Sequence, residues 1–61
     1  MTKQQTKQLS MVQTYLANNM QDTAARSLSA LIRSAMTAKS QNELMAAAVD
    51  LGLNNHPEFI V

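Results

Sequence analysis

The stretch NELMAAAVDL, from Asn42 to Leu51, decides the fold because it is apolar on nearly every side of a helix. At helical spacing, one apolar stripe consists of Leu44, Ala47, Ala48 and Leu51. Met45 and Val49 lie roughly on the opposite side. Because a single hairpin partner covers only the first stripe, the second stripe predicts contact with another protein chain.

The length of the chain limits how much apolar surface it buries by itself. Its 61 residues suffice for one domain, residues 1–61, with one small core. Such a domain buries about 60% of the surface exposed by its unfolded chain, and small domains commonly add disulfides, metals or oligomerisation. With no cysteine and one histidine, we expect neither disulfides nor a metal site, and no cofactor. We therefore expect the chain to bury further apolar surface by self-association, as a homodimer or higher oligomer.

The composition predicts an all-α fold. Alanine, leucine, methionine and glutamine are strong helix formers, and the chain has one glycine, one proline and few aromatic residues. Apolar periodicity predicts three short helices, at about 3–19, 23–38 and 41–51, followed by a C-terminal tail at 52–61. We expect a hairpin of the second and third helices plus an N-terminal helix, completed by homo-oligomerisation.

Capping signals predict where the second and third helices begin. Asp22 precedes an apolar stripe and is expected to be the N-cap of the second helix. Ser40 and Glu43 have the spacing of a capping box, in which each side chain binds a backbone amide near the other. The third helix is therefore expected to begin just after Ser40.

Two other signals predict helix ends. Asn18 and Asn19 follow the first apolar stripe, and asparagine tolerates the left-handed conformation that terminates helices. Gly52 is placed to adopt the same conformation after the third helix, with Leu53 as the hydrophobic contact that usually accompanies it.

Catalysis is not expected from the ionisable residues. His56, Asp50 and Glu58 lie near the end of the third helix, but three short helices offer little room for a substrate pocket. We interpret His56 as a loop histidine beside a proline. The sequence predicts neither catalytic nor metal-binding residues.

Nucleic-acid binding is an alternative hypothesis that depends on Arg26 and Arg33. These arginines are seven residues apart, so they share one face of the second helix and could contact phosphates. The formal net charge of +1 argues mildly against this partner, because nucleic-acid-binding proteins usually carry a concentrated basic surface. Dimerisation would bring four arginines together.

The first residues carry a partial resemblance. The sequence MTKQ at residues 1–4, with Leu9 and Met11, resembles the start of the Rop family of plasmid copy-number proteins. The resemblance implies a dimeric four-helix bundle that binds paired RNA loops. It ends near Met11, because Rop-like chains have one hairpin bend and this chain has predicted breaks near residues 18–22 and near Ser40.

The candidate interface with a partner or a second copy is apolar. It consists of Met45, Val49, Leu53, Phe59 and Ile60. The tail that carries the last two is either a lid on the core or a segment that docks into a partner. Met20 and Met36, by contrast, fall on the predicted core stripes.

These features favour a small non-enzymatic protein-binding module. Its composition suggests a phage- or plasmid-type modulator that occupies a surface on a larger host protein; a minor structural component of a larger assembly is an alternative. No apolar run approaches the about 20 residues of a membrane span, and the polar N-terminal region is unlike a signal peptide. We therefore expect a cytoplasmic protein (the host cytoplasm, if phage-encoded) without membrane contact.

Overall fold

The computed structural model describes every residue from Met1 to Val61 and contains three α-helices and no strand. They are α1 (Lys3–Ala17), α2 (Gln21–Ser34) and α3 (Ala38–Asp50). Together they hold 69% of the residues, which confirms the predicted all-α fold.

Helix α1 is capped at both ends by residues next to it in the sequence. Thr2 and Gln5 form a capping box, with each side chain bound to the other residue's backbone amide. At the other end Asn19 has a φ of 60°, and the Met20 amide donates to the Tyr15 carbonyl at 2.8 Å. The predicted exit through asparagine is confirmed.

Helix α2 begins earlier than predicted, and Asp22 is not its N-cap. Met20 occupies the cap position without a side-chain hydrogen bond, because the left-handed turn at Asn19 leads directly into the new helix. Asp22 lies inside the first turn instead. A carboxylate is still favourable there, since it lies near the positive end of the helix dipole.

The connection between α2 and α3 differs most from the prediction. Helix α2 ends at Ser34, and Ala35 is extended, so Met36 leaves the helical stripe and is 96% exposed. Thr37 caps α3 by accepting from the Ser40 amide at 3.1 Å. The predicted Ser40–Glu43 capping box is wrong, because the helix already begins at Ala38 and Ser40 is buried within its first turn.

The end of α3 agrees with the prediction. Gly52 has a φ of 73°, and its amide donates to the Val49 carbonyl at 3.1 Å. The Leu53 amide donates to the Ala48 carbonyl at 2.9 Å. These two bonds define a Schellman motif, with Leu53 buried as its hydrophobic contact.

Helix α2 is the central element of the fold. Both α1 and α3 pack against it, and α1 makes the more extensive contact, whereas the sequence favoured an α2–α3 hairpin with α1 added. Met20 is largely exposed rather than in the predicted core. The core consists of Val12, Ala24, Ala25, Leu28, Ile32, Ala35, Leu44, Ala48 and Leu53.

The solvent-accessible surface area of the chain is 4059 Å². A compact monomer of this mass exposes about 3,900 Å². The single chain therefore has the surface area expected of a folded monomer. Homo-oligomerisation stays a prediction, and it would involve the exposed side chains and not the core.

Candidate partner-binding surfaces

The apolar residues predicted to form an interface separate into two groups. Leu53 was predicted to lie in the interface, but it is only 2% exposed and belongs to the core. Met45 and Phe59 are half-buried and pack against that core. Val49 and Ile60 remain exposed, at 58% and 61%. The predicted Met45–Val49 stripe is thus partly covered by the chain itself.

The C-terminal segment, defined here as residues 56–61, lies along one face of α2. His56 Nε2 is 3.1 Å from Asp22 Oδ1, and Glu58 Oε1 is 3.8 Å from Arg26 Nε. We call Asp22, Arg26 and Ser29 the docking face, since all three contact this segment. Their spacing of four and three residues places them on one side of the helix.

Ser29 is the buried member of the docking face. Its hydroxyl donates to the Ala25 carbonyl at 2.7 Å and accepts from the Ile60 amide at 3.0 Å. The Glu58 carbonyl lies farther away, at 3.4 Å from the same hydroxyl. With its proton directed to Ala25, the Ser29 oxygen presents a lone pair to the C-terminal segment.

His56 connects the segment to α2 and to itself. Its Nδ1 accepts from the Glu58 amide at 3.0 Å, and its Nε2 lies 3.1 Å from Asp22 Oδ1. The bond from the Glu58 amide requires a lone pair on Nδ1, which places the ring proton on Nε2, the nitrogen nearest Asp22. His56 lies in a loop, as we interpreted it, and in addition it contacts Asp22 on α2. Its position before Pro57 did not predict that contact.

The two arginines of the nucleic-acid hypothesis have different surroundings. Arg26 pairs with Glu58 on the C-terminal segment, and a second acid, Asp22, precedes it by four residues on α2. Arg33 is exposed in the last turn of α2, where a positive charge is favourable at the negative end of the helix dipole. The basic character of this face is therefore concentrated at Arg33.

A second surface, the junction groove, lies where the start of α1, the end of α2 and the start of α3 meet. Its volume is about 290 Å³, and it is lined by Thr2, Gln4, Gln5, Leu31, Ser34, Met36, Thr37 and Ser40. None of these residues is charged. Met36 and Leu31 are its two apolar residues. This surface was not predictable from the sequence, because Leu31 and Met36 both fall on the apolar stripe of a second helix that was expected to continue to about residue 38.

The remaining ionisable groups are dispersed. The amino group of Met1 lies 3.3 Å from Glu43 Oε1, so Glu43 pairs with the start of the chain, while the Ser40 amide donates to Thr37. No three histidine or carboxylate side chains lie close enough together to hold a metal ion. None of the three helices has the length and hydropathy needed to cross a membrane.

Comparisons with protein-family models, curated proteins and solved structures gave no match to this chain. The resemblance of its first residues to the Rop family therefore has no support from these comparisons.

Proposed function

We propose that this chain is a small, non-enzymatic protein-binding module that binds its partner through the junction groove and Met36. The observation that carries the proposal is the 96% exposure of Met36 beside an uncharged groove. Exposing a large apolar side chain to water is unfavourable, and methionine is common on adaptable binding surfaces because its side chain is flexible and polarisable.

The form of the groove supports this class of function. Leu31 and Met36 provide apolar contacts, and hydroxyl and amide side chains around them provide hydrogen-bond donors and acceptors. An apolar centre with a polar rim is the usual anatomy of a protein interface. A chain of this size would act by occupying a surface on a larger protein.

The test uses two methionine variants as a matched pair. Met36→Lys places a charge at the proposed centre, whereas Met11→Lys makes the same change on the exposed side of α1. Both positions are exposed, so each variant should keep its stability within about 0.5 kcal/mol. In affinity capture from lysate of the native host, we expect a partner retained by the wild type and Met11→Lys to be lost with Met36→Lys. Equal retention by all three would contradict the proposal.

Self-association through the same surface is a second candidate. Because the groove lining carries no charge, two copies would approach without like-charge repulsion. A twofold axis would place the Met36 of each copy in the groove of the other, an isologous contact. Sedimentation equilibrium should then give a dimer for the wild type and a monomer for Met36→Lys. A wild-type monomer at all concentrations would exclude this candidate and leave binding to another protein.

A further inference from the structure

We propose that the docking face is a second binding site, which recognises an extended peptide of a partner protein and is occupied by the chain's own C-terminal segment. The inference rests on the proposed function, since it assumes a protein-binding module, but it concerns a face of α2 that does not line the junction groove. The intramolecular segment shows which chemistry the site accepts.

Three contacts define that chemistry. Arg26 pairs with the carboxylate of Glu58, and Ser29 accepts a main-chain N–H two residues later, from Ile60. Between them, Phe59 packs against the core. The expected ligand is therefore an extended segment with an acidic residue followed directly by an aromatic residue. A hydrogen-bond donor two positions before the acid, where His56 lies, would meet Asp22.

The contacts also show why the segment can be displaced. The Arg26–Glu58 ion pair and the His56–Asp22 contact each include an exposed side chain, with Arg26 and Asp22 about two-thirds exposed, and such surface contacts contribute little. Ile60 is largely exposed, and the segment has no helix or strand of its own. Segments with few buried contacts open locally at low free-energy cost.

The test measures binding of a fluorescent peptide with the sequence of residues 54–61, NNHPEFIV, to the full chain by anisotropy. In the wild type the intramolecular segment competes, so the apparent affinity equals the intrinsic affinity multiplied by the fraction of chains that are open. Phe59→Ala in the chain weakens the competitor and leaves α2 intact. We expect this variant to bind the peptide about tenfold more tightly than the wild type.

Charge reversal identifies the site. Arg26→Glu should weaken binding of the peptide to the Phe59→Ala chain by about fivefold, and a peptide with Glu58→Lys should recover that loss. Arg33→Glu changes the same charge on the same helix outside the docking face, so binding should be unchanged. Should Phe59→Ala fail to fold, Glu58→Lys in the chain weakens only the exposed ion pair and should tighten binding by about two- to fivefold.

Three results would overturn the proposal. The first is equal peptide affinity for the wild type and the competitor-weakened chains, and the second is equal loss of binding in Arg26→Glu and Arg33→Glu. The third is exchange of the segment between copies. The chain has no cysteine, so the single variants Arg26→Cys and Glu58→Cys can be mixed and oxidised without competing thiols. A disulfide between the two variants would assign the site to a second copy instead. Met36→Lys should leave peptide binding unchanged, so failure here is distinguishable from failure of the proposed function.

Discussion

Replacing Gly52 by alanine tests the geometry that directs the chain out of α3. Gly52 has a φ of 73°, and an added Cβ would meet no atom within 4 Å, so the substitution creates no tertiary clash. The left-handed conformation costs a residue with a Cβ about 1–2 kcal/mol. Alanine also restricts the unfolded chain, which returns about 0.4–1 kcal/mol. The expected net loss of unfolding free energy is about 1 kcal/mol.

The reciprocal substitution provides the control. Ala46 is exposed in the interior of α3, where glycine should be less stable than alanine by about 0.5–1 kcal/mol. Alanine is thus expected to be the better residue at position 46 and glycine at position 52. Asparagine tolerates the left-handed region, so Gly52→Asn should lose less than Gly52→Ala.

Urea denaturation followed by far-UV circular dichroism measures these differences. For a domain of this size, a loss of 1 kcal/mol also lowers the melting temperature by about 4–8 °C. The wild type and variants should share one m-value, since the surface exposed on unfolding is unchanged. If Gly52→Ala is neutral or stabilising, the Schellman motif is absent in solution and the reasoning is refuted.

Three further substitutions test the core, the docking face and the start of α3. Leu28 is completely buried, so Leu28→Ala should cost about 3–5 kcal/mol and leave the chain largely unfolded by circular dichroism. Ser29→Ala removes the acceptor of the Ile60 amide and should cost about 1 kcal/mol, with faster hydrogen exchange at that amide; unchanged exchange would refute the contact. Thr37→Ala should cost about 1 kcal/mol and Glu43→Ala under about 0.5 kcal/mol in urea denaturation; the reverse order would support the capping box predicted from sequence.

The helix ends that depend on backbone conformation were predictable from sequence. Gly52 and Asn19 lie where the chain takes a positive φ, and few residue types tolerate that conformation. Local composition therefore identifies such positions without knowledge of the tertiary structure. The all-α class was predictable for a similar reason, because helix propensity summed over many residues is informative.

The α2–α3 connection was not predictable in the same way. Apolar periodicity assigned Met36 to the core because no glycine or proline interrupts the second apolar stripe. In the structure, Thr37 caps α3, and the Gln41 side chain donates to the Ala35 carbonyl at 3.2 Å, which stabilises an earlier break. Both Thr37 and Ser40 have the chemistry of an N-cap, and only tertiary packing, which buries Ser40, selects between them.

The predicted interface failed at Leu53 for a related reason. Helical periodicity identifies which residues share a face but not where the chain goes after the helix ends. The Schellman motif turns Leu53 back onto the core, and the following segment brings Phe59 against the same core. The contact of His56 with Asp22 depends on that path, so neither residue carried a signal for it in the sequence.

The hydrogen-bonding character of the docking face separates the peptide from the nucleic-acid hypothesis. Ser29 directs its proton to Ala25, and Asp22 is a carboxylate, so both positions require a donor from the ligand. A peptide supplies N–H donors, whereas the phosphate oxygens that dominate contacts with nucleic acid only accept and would be repelled by Asp22. Arg26 alone would favour a phosphate, and it is paired with Glu58 until the C-terminal segment leaves. The arginine that suggested nucleic acid in the sequence therefore fits an acidic peptide better in the structure.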